Sequence, residues 1–225
     1  MSNKIDYNVP DYVVDRVMQK RGRLRVFDHF EAKHTALVVI DMQVFYVEDV
    51  EAALATIPNI NRLAKWLREA GGTVAWANMT AGENGKSLWP LYHDYFFREE
   101  NAKKHRDNLS KGARGHRLHS DLDAGPQDIY AVKNRFSAFL PGASDLHEQL
   151  QDRGIENVLI AGVVTNFCCE TSARDAMMMD YRVAMVMDAC GARYPEDHQV
   201  GFSTVFQSFG DVMSTDELLG GVLLS

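Results

Sequence analysis

Cysteine is scarce in this sequence, positive charge is outnumbered and no long apolar run occurs; each shortage removes a class of protein. The three cysteines, Cys168, Cys169 and Cys190, are odd in number and two of them are neighbours, which speaks against a disulfide framework and for free thiols in a reducing compartment. No stretch approaches the roughly 18 apolar residues of a membrane-spanning helix, and residues 1–34 lack the apolar core of a secretory signal. A cytoplasmic protein is therefore expected. With 24 Lys and Arg against 31 Asp and Glu the formal charge is -7, so no overall attraction to nucleic acid or to an anionic membrane is expected. Internal repeats and low-complexity tracts are missing too. At 46% hydrophobic and 24% charged residues over a length of 225, the chain suits one conventional globular domain with a small-molecule partner.

What is present is a rhythm of strands and helices. Residues 1–34 carry Val9, Tyr12, Val13, Val14 and Val17 in a loose helical stripe before a basic run, which reads as an N-terminal docking arm. The domain proper spans 35–225. Its first strand, Ala36 to Asp41, is an unbroken apolar run of the kind buried on both faces of a parallel sheet. A helix through Ile57, Ile60, Leu63 and Leu67 leads to a strand from Thr73 to Asn78. Further strands are expected at Asp128–Lys133, Val158–Val163, Arg182–Asp188 and Val212–Met213, with helices at Asp145–Arg153, Cys168–Asp180 and Glu196–Ser208. The fold class is thus α/β: a single-domain, doubly wound, mostly parallel six-stranded sheet with helices on both faces, a Rossmann-like three-layer α/β/α arrangement.

Residues 79–126 interrupt the rhythm with a polar, aromatic excursion, expected to act as a lid or a subunit interface. From Arg98 to Arg117 it holds seven Lys or Arg against three Asp or Glu, a solvated face or an attraction for an anionic substrate. His93, His105, His116 and His119 lie in it without cysteine partners and read as surface histidines.

In doubly wound sheets ligands bind beyond the carboxyl ends of the strands. Those ends carry Asp41, Asn78, Lys133 and the run Gly162-Val-Val-Thr-Asn-Phe-Cys168, so an acid, an amine and a thiol are expected to converge on three adjacent strand ends. A thiol at a helix start beside an ammonium should ionise readily, which gives Cys168 as nucleophile and Lys133 as its activator. Asp41 would take the thiol proton and return it to a leaving amine. The backbone N–H groups of Val164 and Cys168, in the turn before the thiol, would form an oxyanion hole.

These pieces resemble the isochorismatase-like cysteine hydrolases, which include nicotinamidases, N-carbamoylsarcosine amidases and ureidoacrylate amidases. The likeness rests on Ala-Leu-Val-Val-Ile-Asp41-Met-Gln43, on Lys133-Asn-Arg-Phe-Ser137-Ala-Phe139, and on Gly162-Val-Val-Thr165-Asn-Phe-Cys168-Cys-Glu-Thr171. The resemblance implies an Asp41–Lys133–Cys168 triad, a cis peptide between Val163 and Val164 that serves the oxyanion hole, and a homodimer or homotetramer. It also implies an aromatic pocket wall at Tyr46 or Phe45, and substrate contact at Asn78 by similarity to the ureidoacrylate-type members. Trp76, Trp89, Tyr92 and Phe139 are further wall candidates, set against plain core roles.

Nicotinamidases of this family hold a metal through an Asp-x-His pattern after the second strand, where this sequence reads Asn78-Met-Thr-Ala-Gly82. Neither a metal nor any other cofactor is therefore expected. The implied activity is hydrolysis of a C–N bond in a small amide, carbamoyl or ureido substrate through a thioester-like acyl-enzyme, and the basic excursion tilts the expectation toward an anionic substrate. Two rivals remain: vinyl-ether hydrolysis of the isochorismatase type, which needs no cysteine, and a binding or assembly protein on the same fold.

Overall fold

The structure, a computed structural model, describes residues 9–225; the first eight residues of the expected arm lie outside them. Six strands form one sheet: β1 (Thr35–Ile40), β2 (Thr73–Met79), β3 (Ile129–Lys133), β4 (Asn157–Val163), β5 (Arg182–Gly191) and β6 (Asp211–Met213). Their spatial order is β3-β2-β1-β4-β5-β6 and every pairing is parallel. The chain starts at the centre, builds outward one way, then returns and builds the other way. The reversal falls between β1 and β4, where a doubly wound sheet opens a crevice at its carboxyl edge.

Alternation along β1 shows why its sequence is apolar throughout. Ala36, Val38 and Ile40 enter one core, shared with helices α5 (Leu146–Asp152), α6 (Glu170–Met178) and α7 (Pro195–Ser208). Leu37 and Val39 enter the other, shared with α2 (Glu51–Glu69), whose Ile57, Ile60, Leu63 and Leu67 recur at helical spacing. β5 runs past the expected Asp188. A register shift between Ile160 and Gly162 on β4 lets pairing continue to Gly191, so Cys190 lies inside the strand.

The N-terminal segment folds back on its own domain. Helix α1 (Asp11–Arg21) buries Val13 and Val17, one turn apart, in the core that α7 also faces, and ends on Gly22 with φ 71°. The chain beyond is fastened by Asp211, whose buried carboxylate accepts the N–H groups of Val26 (2.8 and 2.9 Å) and Phe27 (2.8 Å).

The excursion is more regular than its composition suggests. It forms a small hairpin, Gly82–Glu83 with Lys86–Ser87, and two helices, α3 (Pro90–Phe96) and α4 (Glu99–Asn108). α4 escaped the sequence pattern because the residues it buries are Ala102 and His105, not an apolar stripe. No helix among the described residues is long and apolar enough to cross a membrane.

Asp211→Ala would leave two partly buried backbone donors without their acceptor. Urea unfolding is expected to show a loss of about 2–3 kcal/mol, with faster proteolysis around residues 22–30; an unchanged midpoint would mean that the carboxylate does not hold this segment.

Candidate active site

The sheet order, not the sequence order, decides which strand ends meet. Asp41 follows β1 and Cys168 follows β4, its direct neighbour, but Lys133 ends β3 and stands beyond β2. The expected three adjacent strand ends are therefore two adjacent ends and one more distant. Two strand spacings come to about 9.6 Å, and the long lysine side chain crosses that gap over Met79. Its Nζ lies 2.8 Å from Asp41 Oδ2, 3.5 Å from Cys168 Sγ and 4.0 Å from Met79 Sδ, and donates to Arg135 O at 3.1 Å.

Backbone and buried side chains fix this trio. Asp41 N–H donates to Ala77 O (3.0 Å), and the residue then turns into the left-handed region at φ 54°. Gly162 is required beside it, because a Cβ there would sit 2.1 Å from Ile40 O. Gln43, fully buried, ties the ends of β1 and β2 together: Met79 N–H donates to its Oε1 (2.8 Å), while its Nε2 donates to Met79 O (3.0 Å) and His116 O (2.9 Å). The Val163–Val164 peptide is cis. After it comes a π-helical turn, Thr165–Cys169, which merges into α6. The helix thus begins three residues earlier than the sequence suggested, and Cys168 sits within its opening turn.

Charge in the trio differs from the expectation of a ready thiolate. Burial pushes the Asp41 carboxyl up, against the pull of Lys133. Burial, joined by the Asp41 carboxylate, pushes the Cys168 thiol up, and the opposing influence of Lys133 does not overcome them. Burial would lower Lys133, but Asp41 and Cys168 outweigh it and its pKa is raised. One ammonium in a dry site supports one anion, so two acids compete for a single negative charge. The resting site holds a thiol beside a carboxylate, and the remaining Asp41 oxygen, Oδ1, accepts no hydrogen bond from any N–H or O–H group of the described residues.

Asp41, Cys168, Val163 and Val164 form the floor of a cavity of about 620 Å³. Phe45 and Tyr46 line it, as does Tyr92 of α3, with Trp89 stacked behind at 4.5 Å between ring centroids. Three candidates lie elsewhere. Trp76 is buried in the α2 core, its indole N–H bonded to Asp128 (2.8 Å), because the alternation of β2 turns it away from the cleft. Asn78 follows two residues on, on the same strand face, and does not line the cavity. Phe139 packs on Tyr181 at 5.6 Å in the opposite core.

Other lining residues had no sequence signal or a weak one. Phe136 stands three residues past Lys133, in a strand-end loop where it could have been sought. Asp49, in the turn before α2, and Arg193, in the bend before α7, pair at the cavity across a long stretch of sequence, which no local pattern reveals. α4 contributes Asn101, Lys104 and His105, so the excursion forms one wall. His93 and His105 are buried and bonded to each other at 2.9 Å, not surface histidines, since α3 and α4 fold over them. Cys169 and Cys190 are buried free thiols that do not line the cavity. Among the described residues no group of three or more His, Cys, Asp or Glu is arranged to hold a metal ion.

A Rossmann-ordered sheet with a buried carboxylate, ammonium and thiol at its switch point defines an α/β enzyme of the hydrolase type. Residues 35–217 match the isochorismatase domain model, and the chain belongs to that family. Among its relatives, a protein of Arabidopsis thaliana described as a probable inactive nicotinamidase is 32% identical, over 74% of this chain and 85% of its own. The ureidoacrylate amidohydrolase RutB of Pseudomonas syringae pv. syringae is 30% identical, over 81% of each chain. The crystal structure of a cysteine hydrolase from Pseudomonas syringae pv. phaseolicola shares the fold with a TM-score of 0.77 at 24% identity, covering 88% of this chain and 96% of its own.

The shared negative charge sets an expectation for thiol chemistry. Iodoacetamide labelling of Cys168, followed by peptide mass mapping across pH, should require alkaline conditions in the wild type. Asp41→Asn removes the competing anion and keeps Lys133, so its profile should move to lower pH; a profile that stays put or moves upward would contradict the charge assignment.

Proposed function

We propose that this chain is a cysteine-dependent amidohydrolase that opens a C–N bond of a small carbamoyl, ureido or amide substrate. The observation that carries this reading is Lys133 Nζ bridging Asp41 Oδ2 at 2.8 Å and Cys168 Sγ at 3.5 Å, the acid and the thiol both lining the cavity. In the first step the sulfur of Cys168 bonds to the substrate carbon while its proton passes to Asp41, and the carbonyl oxygen gains the negative charge. The pKa directions favour this concerted transfer: the thiol resists standing ionised, while the Asp41 carboxyl is raised and so made a better base.

The N–H groups of Val164 and Cys168 are the donors proposed for the oxyanion, the role preorganised backbone amides play in acyl transfer. Collapse of the tetrahedral species breaks the C–N bond, and Asp41 gives its proton to the departing nitrogen. Water then attacks the thioester with Asp41 as base; the C–S bond breaks and the thiol is restored. Lys133 keeps its charge throughout and steadies whichever of its two neighbours is the anion.

A ureido or carbamoyl substrate is favoured by the ureidoacrylate amidohydrolases among the relatives. The name of the Arabidopsis relative concerns that protein; here an acid, an amine and a thiol are all in reach of one another. The same reading includes work in the cytoplasm, in keeping with three free cysteines, as a homodimer or homotetramer.

Ammonia release should be measured on 3-ureidoacrylate, N-carbamoyl amino acids, maleamate and nicotinamide. At least one of the ureido or carbamoyl compounds is expected to turn over, with kcat falling about a thousandfold or more in Cys168→Ser. Turnover that survives in that variant would sink the proposal. Isochorismate turnover retained in Cys168→Ala would point to acid catalysis by Asp41 instead.

A further inference from the structure

The cavity is served by a second buried polar string that the proposed reaction does not use. Ser87 Oγ and His93 Nδ1 lie 2.5 Å apart, His93 Nε2 and His105 Nδ1 2.9 Å, and His105 Nε2 and the Tyr46 hydroxyl 3.1 Å. The string runs from the excursion's hairpin through α3 and α4 to the helical turn after β1. Its two imidazoles are only 3% and 7% exposed. Burial lowers both, His105 to about 4 with His93 and Lys133 adding to the effect. At neutral pH each ring is therefore uncharged and carries one N–H, so it donates on one side and accepts on the other.

A string of such rings can run in either direction, and its ends decide which. Ser87 Oγ already accepts the backbone N–H of Trp89 at 3.0 Å. Its own hydrogen can go to His93 Nδ1, 2.5 Å away, an atom that accepts when the ring proton is on Nε2. With Nδ1 accepting, His93 donates from Nε2 to His105 Nδ1, and His105 donates from Nε2 to the Tyr46 oxygen. The Tyr46 hydroxyl hydrogen is then left over at the cavity wall. The phenol keeps that hydrogen, because burial and the charge of Asp41 hold its pKa well above the ordinary value.

We propose that Ser87, His93 and His105 form a one-way hydrogen-bond chain that holds the Tyr46 hydroxyl as a donor to the cavity, selecting substrates that present an oxygen acceptor to that wall. This rests on the amidohydrolase reading and adds a specificity to it: a carboxylate or carbonyl oxygen is accepted on the Tyr46 side, and an N–H group is not. Lys104, next to His105 on α4 and also at the cavity, has no acidic partner among the described residues, which favours the carboxylate. Tyr46 contacts the substrate; Ser87, His93 and His105 are positioning residues.

Two measurements test this without turnover. In protein labelled with ¹⁵N-histidine, NMR at neutral pH should show His93 and His105 both protonated on Nε2. Ser87→Ala should mix the His93 tautomers and Ser87→Thr should restore them, a response that a merely structural serine would not give. Nδ1 protonation of either ring overturns the proposal. In Cys168→Ser protein, calorimetric titration with 3-ureidoacrylate should show binding that Tyr46→Phe weakens about tenfold or more, the usual worth of a hydrogen bond to a charged group, while propylurea, whose tail lacks an acceptor, loses little. No binding of 3-ureidoacrylate, or equal binding by both proteins, overturns it. If these results hold and no compound releases ammonia, the amidohydrolase reading falls and the donor assignment stands; if ammonia is released but binding ignores Tyr46, the reverse is true.

Discussion

An ammonium stripped of water must be neutralised by something fixed, and Lys133 has its neutraliser in the Asp41 carboxylate at 2.8 Å. Both groups are almost wholly enclosed, so their separate desolvation costs would be several kcal/mol each were they not paired. The pair sits where the sheet reverses direction, and the thiol of Cys168 is drawn against it. The two acids, Asp41 and Cys168, then share one proton and one negative charge, which the ammonium balances. Whatever chemistry the cavity performs begins from that shared state.

The architecture holds this arrangement by short, directional contacts. The parallel ladder sets the heights of β1, β2 and β3, so Lys133 pairs in register with Met79 and Ile40 with Ala77. Gln43 then welds the ends of β1 and β2, and the closeness of Gly162 to Ile40 brings β4 and its π-helical turn up to Asp41. A misplacement of about 1 Å in any of these strand ends would uncouple the lysine from one of its two partners, and groups that act together tolerate little of that. The apolar runs of the strands thus serve the polar site: two well-packed cores leave the sheet no freedom to slide.

The excursion completes the cavity from outside the sheet. Its helices bring His105 against Tyr46 with His93 behind it, and Tyr92 packs on Trp89 and Phe136, giving an aromatic wall over a charged floor. Such a wall excludes water, which strengthens every charge interaction beneath it. Lys103 and Arg106 pair with Asp107, and Arg114 with Glu48, so much of the excursion's basic character is spent on the surface rather than at the cavity. The N-terminal segment likewise turns inward, α1 covering the core beside α7.

The sequence by itself determined the six strands and the residues at their carboxyl ends, because an apolar run bounded by a polar residue is a local signal. Asp41, Lys133 and Cys168 were legible for that reason, as was the class of sheet that holds them. Only the tertiary structure decided that Lys133 reaches across β2, that Trp76 and Phe139 belong to the cores while Tyr46 belongs to the cavity, and that two histidines of the excursion are buried. It also reversed the expected ease of ionising Cys168. Strand order, burial and the company a charge keeps are set by residues distant in sequence, and no local pattern of one chain segment contains them.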